Sequence, residues 1–434
     1  MRGYSTVPPA GCAEAEANRG RVRWRATVAS VVVCAGAAAG GLVAAGRHAA
    51  DATARAVGAG EGSRRPQLLH VDSHLPDWLA PGARAHVDGF AGANERLRLE
   101  TSSGALLART TSGPRGRFLF RFRAPEAGRY RLRVAGTGRT AAAGVVVVRP
   151  LVLDAVGDVT FGEQVGPAVS AYGGAYPWTG VARVLRAADM TTGNLETSVS
   201  TRGTAGVKQY TFRGPPQALA PMSQVAGFDV LTLANNHSDD YGPEALLDTV
   251  RYVRAAGIEP IGAGANELLA RRPAIVEAGG LKVAFLGYSD INPAGFRSTE
   301  TTPGTATADP AAIMADVRAA RRRADVVVCF MHWGVELHPQ PDSRQQQLAA
   351  ACLSGGAQVV LGAHPHVLGP VSRPTARSLV AWTLGNFLFP SAGVTAHTAI
   401  LQVRLDARGV RGYRLLPVQI EGFRPRLLSA GSSR

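Results

Sequence analysis

The stretch VLTLANNHSDDYG, residues 230–242, decides the fold. Val230-Leu231-Thr232-Leu233-Ala234 has the length and apolar character of a strand buried in a parallel sheet. The run stops at Asn235-Asn236-His237. Gly242-Pro243 then opens a helix, with proline at its first position and Leu246, Leu247, Val250 and Val253 spaced along its apolar side. Two amides, an imidazole and the carboxylates of Asp239 and Asp240 are therefore expected just beyond the C-terminal end of a strand. Open α/β sheets hold their ligands there. Taken alone, the segment is equally an asparagine-rich turn with a capping aspartate. Recurrence along the chain separates the two readings.

From Leu151 onward, apolar runs alternate with helical patterns. Strands are expected at 151–156, 230–233, 283–286, 326–330, 359–361 and 379–382, and helices at 181–188, 243–256, 311–323 and 344–353. Strand pairs at 399–405 and 410–420 should close the edge of a sheet. This is an α/β domain over residues 150–428. Its apolar runs, and the helix expected to end near Met190, are followed by chemistry-bearing residues. Asp158 follows the first, and Glu196 follows Gly193-Asn194-Leu195. Asn236 and His237 follow the second, His332 the fourth, His364-Pro365-His366 the fifth and Asn386 the last. Packing does not require a carboxylate, amide or imidazole at successive strand ends. Imidazole and carboxylate together suit borderline divalent metals such as Mn, Zn or Fe. A carboxylate such as Glu196 can bridge two ions. Two ions roughly 3.5–4 Å apart would polarise a phosphoryl or acyl oxygen and activate water. His338 and His397 read as hydrogen-bonded turn residues.

The N-terminal third carries different signals. Residues 1–25 form a polar tail with Arg19, Arg21, Arg23 and Arg25. Residues 26–46 (ATVASVVVCAGAAAGGLVAAG) lack charge and are long enough to span a bilayer. The preceding arginines should stay cytoplasmic, so the expectation is a single-pass signal anchor with the main domains extracytoplasmic. A cleaved signal peptide is the other reading. Residues 47–68 have linker composition. In residues 69–149, Phe118, Phe120 and Phe122 alternate with arginines, as do Tyr130, Leu132 and Val134. Turn signals separate such runs at the spacing of a small β-sandwich, and the run from Gly128 to Val134 is like the last strands of immunoglobulin-like modules.

At 434 residues with 46% hydrophobic content, the chain has room for two or three cored domains. The net charge of +15 comes almost wholly from arginine, with lysine only at Lys208 and Lys282. Such a balance favours anionic partners, an anionic polymer or a phosphoester among them. The arginines are spread along the chain without interleaved aromatics, so no nucleic acid is expected as a partner. The four cysteines have no metal-type spacing, and Cys329 and Cys352 read as buried thiols.

The set GDVTFG, GNLETSVS, LANNHSDDYG, MHWGVEL, GAHPHVLGPV and LGNFLF resembles the CapA family of poly-γ-glutamate capsule-synthesis proteins. The likeness runs in order over residues 151–389. That family is in turn similar to calcineurin-like metallophosphoesterases, which implies an αββα sandwich. Carried over residue by residue, the resemblance implies one metal at Asp158, Glu196 and His366. It implies a second at Glu196, Asn236, His332 and His364. His237 would protonate the leaving group, and Asp240 would orient it. Thr160 stands where ordinary phosphoesterases carry a further histidine ligand, and Asn235 where they carry glycine. Asp239 occupies a position that is usually apolar in the family.

Two functions follow. One is an anchored metal-dependent hydrolase or transferase acting on a phosphoester, or on an amide of an anionic envelope polymer. The other is a non-catalytic component of a polymer assembly or export machinery, working with other synthesis subunits and carrying a structural or vestigial metal site. A generic extracytoplasmic phosphoesterase, or a soluble intracellular one, would be a plainer form of the first.

Overall fold

Val230–Thr232 is a strand, and it runs parallel to Met190–Leu195 on one side and Glu259–Ile261 on the other. The computed structural model describes residues 69–428. Around this strand lies a sheet in the order Glu259–Ile261, Val230–Thr232, Met190–Leu195, Leu151–Val159, His397–Asp406, Gly409–Glu421, Arg424–Leu427. Asn386–Leu388 also pairs with Leu151–Val159. Its first four strands are parallel, and the last three add on antiparallel. A second sheet has the order Ala274–Ala278, Leu281–Ser289, Val326–His332, Val359–Ala363, Leu379–Ala381, Val371–Ser372. It is parallel in the middle and antiparallel at both edges.

The apolar contacts give the layering. Leu153 and Ala155 of the first sheet share a core with Phe285, Val328 and Leu361 of the second. Residues of opposite parity face outward. Val156 and Leu231 pack with Leu246 and Val253 of the helix Pro243–Ala255. Val327 and Cys329 pack with Ile313 and Leu348 of the helices Pro310–Arg321 and Ser343–Gly355. Two sheets therefore stack face to face with helices outside each. Most of the central strands, buried on both sides, read as continuous apolar runs rather than alternating ones.

The helix starts follow their sequence signals. Asp309 accepts a hydrogen bond from Ala312 N–H ahead of Pro310, and Asp342 forms a capping box with Gln345. One expected element is different. The helix expected at 181–188 is a single turn, Ala182–Leu185, and the chain goes straight into the strand Met190–Leu195. MTTGNL has no apolar run, so its strand character comes from parallel partners on both sides rather than from local preference. The pair expected at 399–405 and 410–420 is a hairpin of His397–Asp406 and Gly409–Glu421. Its first strand lies inside the sheet against Leu151–Val159, and the edge is Arg424–Leu427.

Residues 69–149 form two antiparallel-rich sheets with Phe118, Phe120 and Phe122 inside and Arg117, Arg121 and Arg123 outside. Their core is continuous with the one between the two larger sheets. The join is specific. Trp78 lies under the Arg149 guanidinium, 3.8 Å from the ring centroid, and Arg149 pairs with Asp189 through two 2.7 Å bonds. Ala80 N–H donates to Gly279 O at 2.8 Å. At Gly279 (φ 55) a Cβ would lie 2.1 Å from Trp78, so only glycine admits the indole. Cys329 and Cys352 are buried free thiols. The expected tail, membrane segment and linker, with Cys12 and Cys34, lie outside the described residues. Among the described residues no helix is long and apolar enough to cross a membrane.

Candidate metal centre

The parallel strands of both sheets end toward the same place. Asp158 is near the end of Leu151–Val159, and Glu196 directly follows Met190–Leu195. Asn236 follows Val230–Thr232, His332 is the last residue of Val326–His332, and His364 directly follows Val359–Ala363. Gly157 lets the backbone pass, because a Cβ there would meet Gly385 O at 1.8 Å while Asp158 N–H donates to that same oxygen.

These side chains meet. Ligand atoms of Asp158, Glu196 and His366 lie within 4.8 Å of one another, and so do those of Glu196, His332 and His364. Asn236 Oδ1 is 2.7 Å from His332 Nε2. Glu196 Oε1 lies 3.8 Å from that nitrogen and 4.0 Å from His237 Nε2. Asp158, Glu196 and His332 are fully buried. The six residues expected as ligands thus share one pocket, with Glu196 common to two trios. His338 and His397 are exposed and belong to neither.

The donor set fits divalent cations. Glu196 Oε1 and His364 Nδ1 are buried without a hydrogen-bond partner. Orphaned buried polar atoms are costly, and a cation would satisfy both. His364 and His366 both hold positive φ, 97° and 58°, which side chains adopt only where surroundings impose it. Burial, reinforced by the Asp158 charge, pushes the Glu196 carboxyl well above the usual range. Burial and the neighbouring imidazoles pull His332 well below its usual value and His364 down to about 4. His366 goes the other way. Burial would lower it, but the carboxylates of Glu196 and Asp158 raise it to about 10. The buried carboxylate charge calls for positive charge beside it.

Further contacts hold these side chains in place. Asn194 Nδ2 donates to Asp158 Oδ1 at 2.8 Å and lies 3.3 Å from both Glu196 Oε2 and His332 Nδ1. Asn235 donates to Asn194 Oδ1 and Leu195 O, and accepts from His237 N–H and the Ser238 hydroxyl. An amide at this position therefore braces two strand ends, which glycine could not do. Thr160 Oγ1 accepts from Gly162 N–H, so this side chain serves the turn. Asp239 is buried with Oδ1 unpartnered, and burial together with Asp240 raises it to about 6. Nothing in the structure explains its presence.

His237 is set from behind. Its Nδ1 lies 2.8 Å from Asp240 Oδ2, and its ring stacks on Phe212 at 4.1 Å. Burial lowers its pKa; Asp240 opposes that, while Lys208 adds to it. Lys208 reaches in from the loop 201–212 and donates to Asp240 Oδ1 at 2.7 Å and to Asn236 O at 2.6 Å. Phe212 N–H donates to Asp240 Oδ2 at 2.6 Å. Sequence reasoning missed Lys208, Phe212 and the bracing role of Asn194. For Lys208 a signal existed, since it is one of two lysines in an arginine-rich chain.

The chain matches the family model described as Bacterial capsule synthesis protein PGA_cap over residues 152–391. It belongs to that family. It is 30% identical over 277 residues to the PGA biosynthesis protein CapA of Bacillus subtilis (strain 168), covering 62% of this chain and 72% of the relative. It is 30% identical over 285 residues to the capsule biosynthesis protein CapA of Bacillus anthracis, covering 64% and 69%. Among solved structures it is similar to a phosphatase of Mycoplasma pneumoniae at 13% identity and TM-score 0.40, covering 62% of this chain and 94% of that one. It is also similar to a 5'-nucleotidase precursor from Thermus thermophilus at 18% identity and TM-score 0.38, covering 64% and 54%. The match to the PGA_cap family contains all six expected ligands, from Asp158 to His366.

Proposed function

We propose that this PGA_cap family member is a membrane-anchored, extracytoplasmic protein of poly-γ-glutamate-type polymer synthesis or export. Its α/β domain, of metallophosphoesterase type, would carry a dinuclear hydrolase-like site. The observation that carries this reading is the convergence of two ligand trios on the shared carboxylate of Glu196. Two divalent ions there would supply Lewis acidity toward a phosphoryl or acyl oxygen. The chain's own groups do the rest. Glu196 Oε1 and His237 Nε2 face each other at 4.0 Å across the pocket. Asp240 Oδ2 accepts a hydrogen bond from Nδ1–H of the ring, which turns Nε2 toward the pocket to exchange a proton with a leaving oxygen or nitrogen. Lys208 holds Asp240 through Oδ1, and Phe212 N–H holds it through Oδ2.

The rival reading is an assembly component with a structural metal, and Thr160 in place of a histidine favours it. Metal analysis of the full chain and of His364→Ala, with assays on phosphodiester and γ-glutamyl amide substrates, separates the two. Turnover that depends on metal and is lost in His364→Ala supports the enzyme. Bound metal without turnover on either class overturns it in favour of assembly.

The polymer partner is an anionic chain. Residues 69–149 read as an immunoglobulin-like module, consistent with the Tyr130 hydroxyl donating back to Glu126 O at 2.9 Å. On the module's outer face Arg84, Arg117, Arg121, Arg123 and His86 line an open groove of about 1300 Å³. The one carboxylate there, Asp88, already accepts from the Ser73 hydroxyl. Retention on a polyglutamate resin at low salt, lost on neutralising three of these arginines, would support this role. Equal retention on a neutral resin would remove it. Recovery of the full chain in the membrane fraction, with its protease-sensitive domain outside, tests the proposed localisation.

A further inference from the structure

We infer that Glu336 is a ligand of the metal centre and makes up the shortfall left by Thr160. The inference rests on the dinuclear reading above. A third trio has ligand atoms within 4.8 Å of one another: Glu336, His364 and His366. It shares a histidine with each of the other two. Glu336 differs from Asp158 and Glu196 in being exposed, so it reaches the imidazoles from the solvent side of the pocket.

Backbone geometry brings it there. Among the described residues five non-glycine positions have positive φ, and three of these lie in two adjoining loops. They are Leu337 at 61°, His364 at 97° and His366 at 58°. Leu337 N–H donates to Pro365 O at 2.8 Å and so ties the Glu336 loop to the His-Pro-His loop. A turn closed by His338 N–H to Val335 O at 3.1 Å holds Glu336 at its corner. Strained residues of this kind persist where the surroundings impose them, and they gather at functional sites. The Glu336 carboxylate has no hydrogen bond or ion pair to another described side chain, so its oxygens are not engaged elsewhere.

The coordination count supplies the need. Asp158, Glu196 and His366 offer one metal three protein groups, whereas these ions usually take four to six ligands. Thr160 is buried and engaged in its turn, so it cannot serve. Glu336 adds a carboxylate oxygen next to His366. It also adds a third negative charge to offset two divalent cations, where Asp158 and Glu196 alone provide two.

The test is a titration of the full chain with Mn(II), after stripping with a chelator, in 0.15 M salt, followed by counting bound metal after gel filtration. Two ions are expected for the wild type. Glu336→Gln should keep one at unchanged affinity and bind the other at least tenfold more weakly. Glu336→Asp should fall between. The exposed substitution should leave the melting temperature without added metal unchanged, so that a binding loss is not a folding loss. Two ions bound by Glu336→Gln at wild-type affinities would remove Glu336 from the centre and leave the dinuclear reading intact. A wild type that binds no ion would overturn both.

Discussion

The Lys208 ammonium lies 2.7 Å from Asp240 Oδ1, and the other oxygen of that carboxylate lies 2.8 Å from His237 Nδ1. Asp240 is fully buried, while the Lys208 side chain keeps 22% of its exposure. Removing one partner of such a pair strands the other charge. Lys208→Met should destabilise the protein by about 2 kcal/mol, less than a fully buried pair would lose because of the residual exposure. Lys208→Met combined with Asp240→Asn should recover most of that loss. Denaturant melts of the three variants provide the double-mutant cycle, and strict additivity would show that the pair is not coupled.

Divalent metal should stabilise the folded chain, since its donors come from strand ends far apart in sequence and converge only on folding. At a free concentration a thousandfold above Kd the gain is about 4 kcal/mol. The melting temperature should therefore rise on adding Mn(II) or Zn(II) and fall back with chelator. His364→Ala should show a much smaller rise, because that imidazole belongs to the second trio. An equal rise in wild type and variant would place the bound metal elsewhere.

Asp154 lies in Leu151–Val159, fully buried, with Oδ1 accepting from Gln402 Nε2 at 2.9 Å and Oδ2 unpartnered. Burial raises its pKa from 3.8 to about 7, partly offset by the Gln402 bond and Arg414, while the Asp189 charge adds to the rise. Between those values the folded state holds a proton that the unfolded state has released, so stability falls as pH rises through the window. Asp154→Asn cannot ionise and keeps the Oδ1 acceptor. It should stabilise the protein at pH 7.5 by roughly 2–4 kcal/mol and flatten the pH dependence between 4 and 7. An unchanged pH slope in thermal melts would show that Asp154 is not its source.

Gly279 accepts the Trp78 indole where a Cβ would lie 2.1 Å away. Gly279→Ala must push the indole out and also strain a residue at φ 55. A loss of about 2–4 kcal/mol is expected, through overpacking and strain together. Trp78→Ala should cost a similar amount by leaving a cavity under Arg149. If Gly279→Ala melts as the wild type does, the joint between the two parts of the chain is looser than the contacts indicate.

The amino-acid order alone determined the α/β alternation from Leu151 and the residues at strand ends. Most of the strands buried on both faces are continuous apolar runs, and the polar residues that follow them mark the rim of the sheet. Asp158, His332 and His364 could be picked out for that reason, and their types pointed to metal chemistry. What only the tertiary structure decided are the partners that reach the rim from elsewhere. Met190–Leu195 is a strand because neighbours on both sides pair with it, and its own residues carry no such pattern. Lys208 and Phe212 reach Asp240 from a loop whose composition gives no hint of its path. Glu336 meets the histidines because one hydrogen bond joins two strained loops. Local periodicity records which face of an element is buried. It carries no record of which distant backbone will lie against it, because loop closure costs depend only weakly on how far apart in the chain the two ends are.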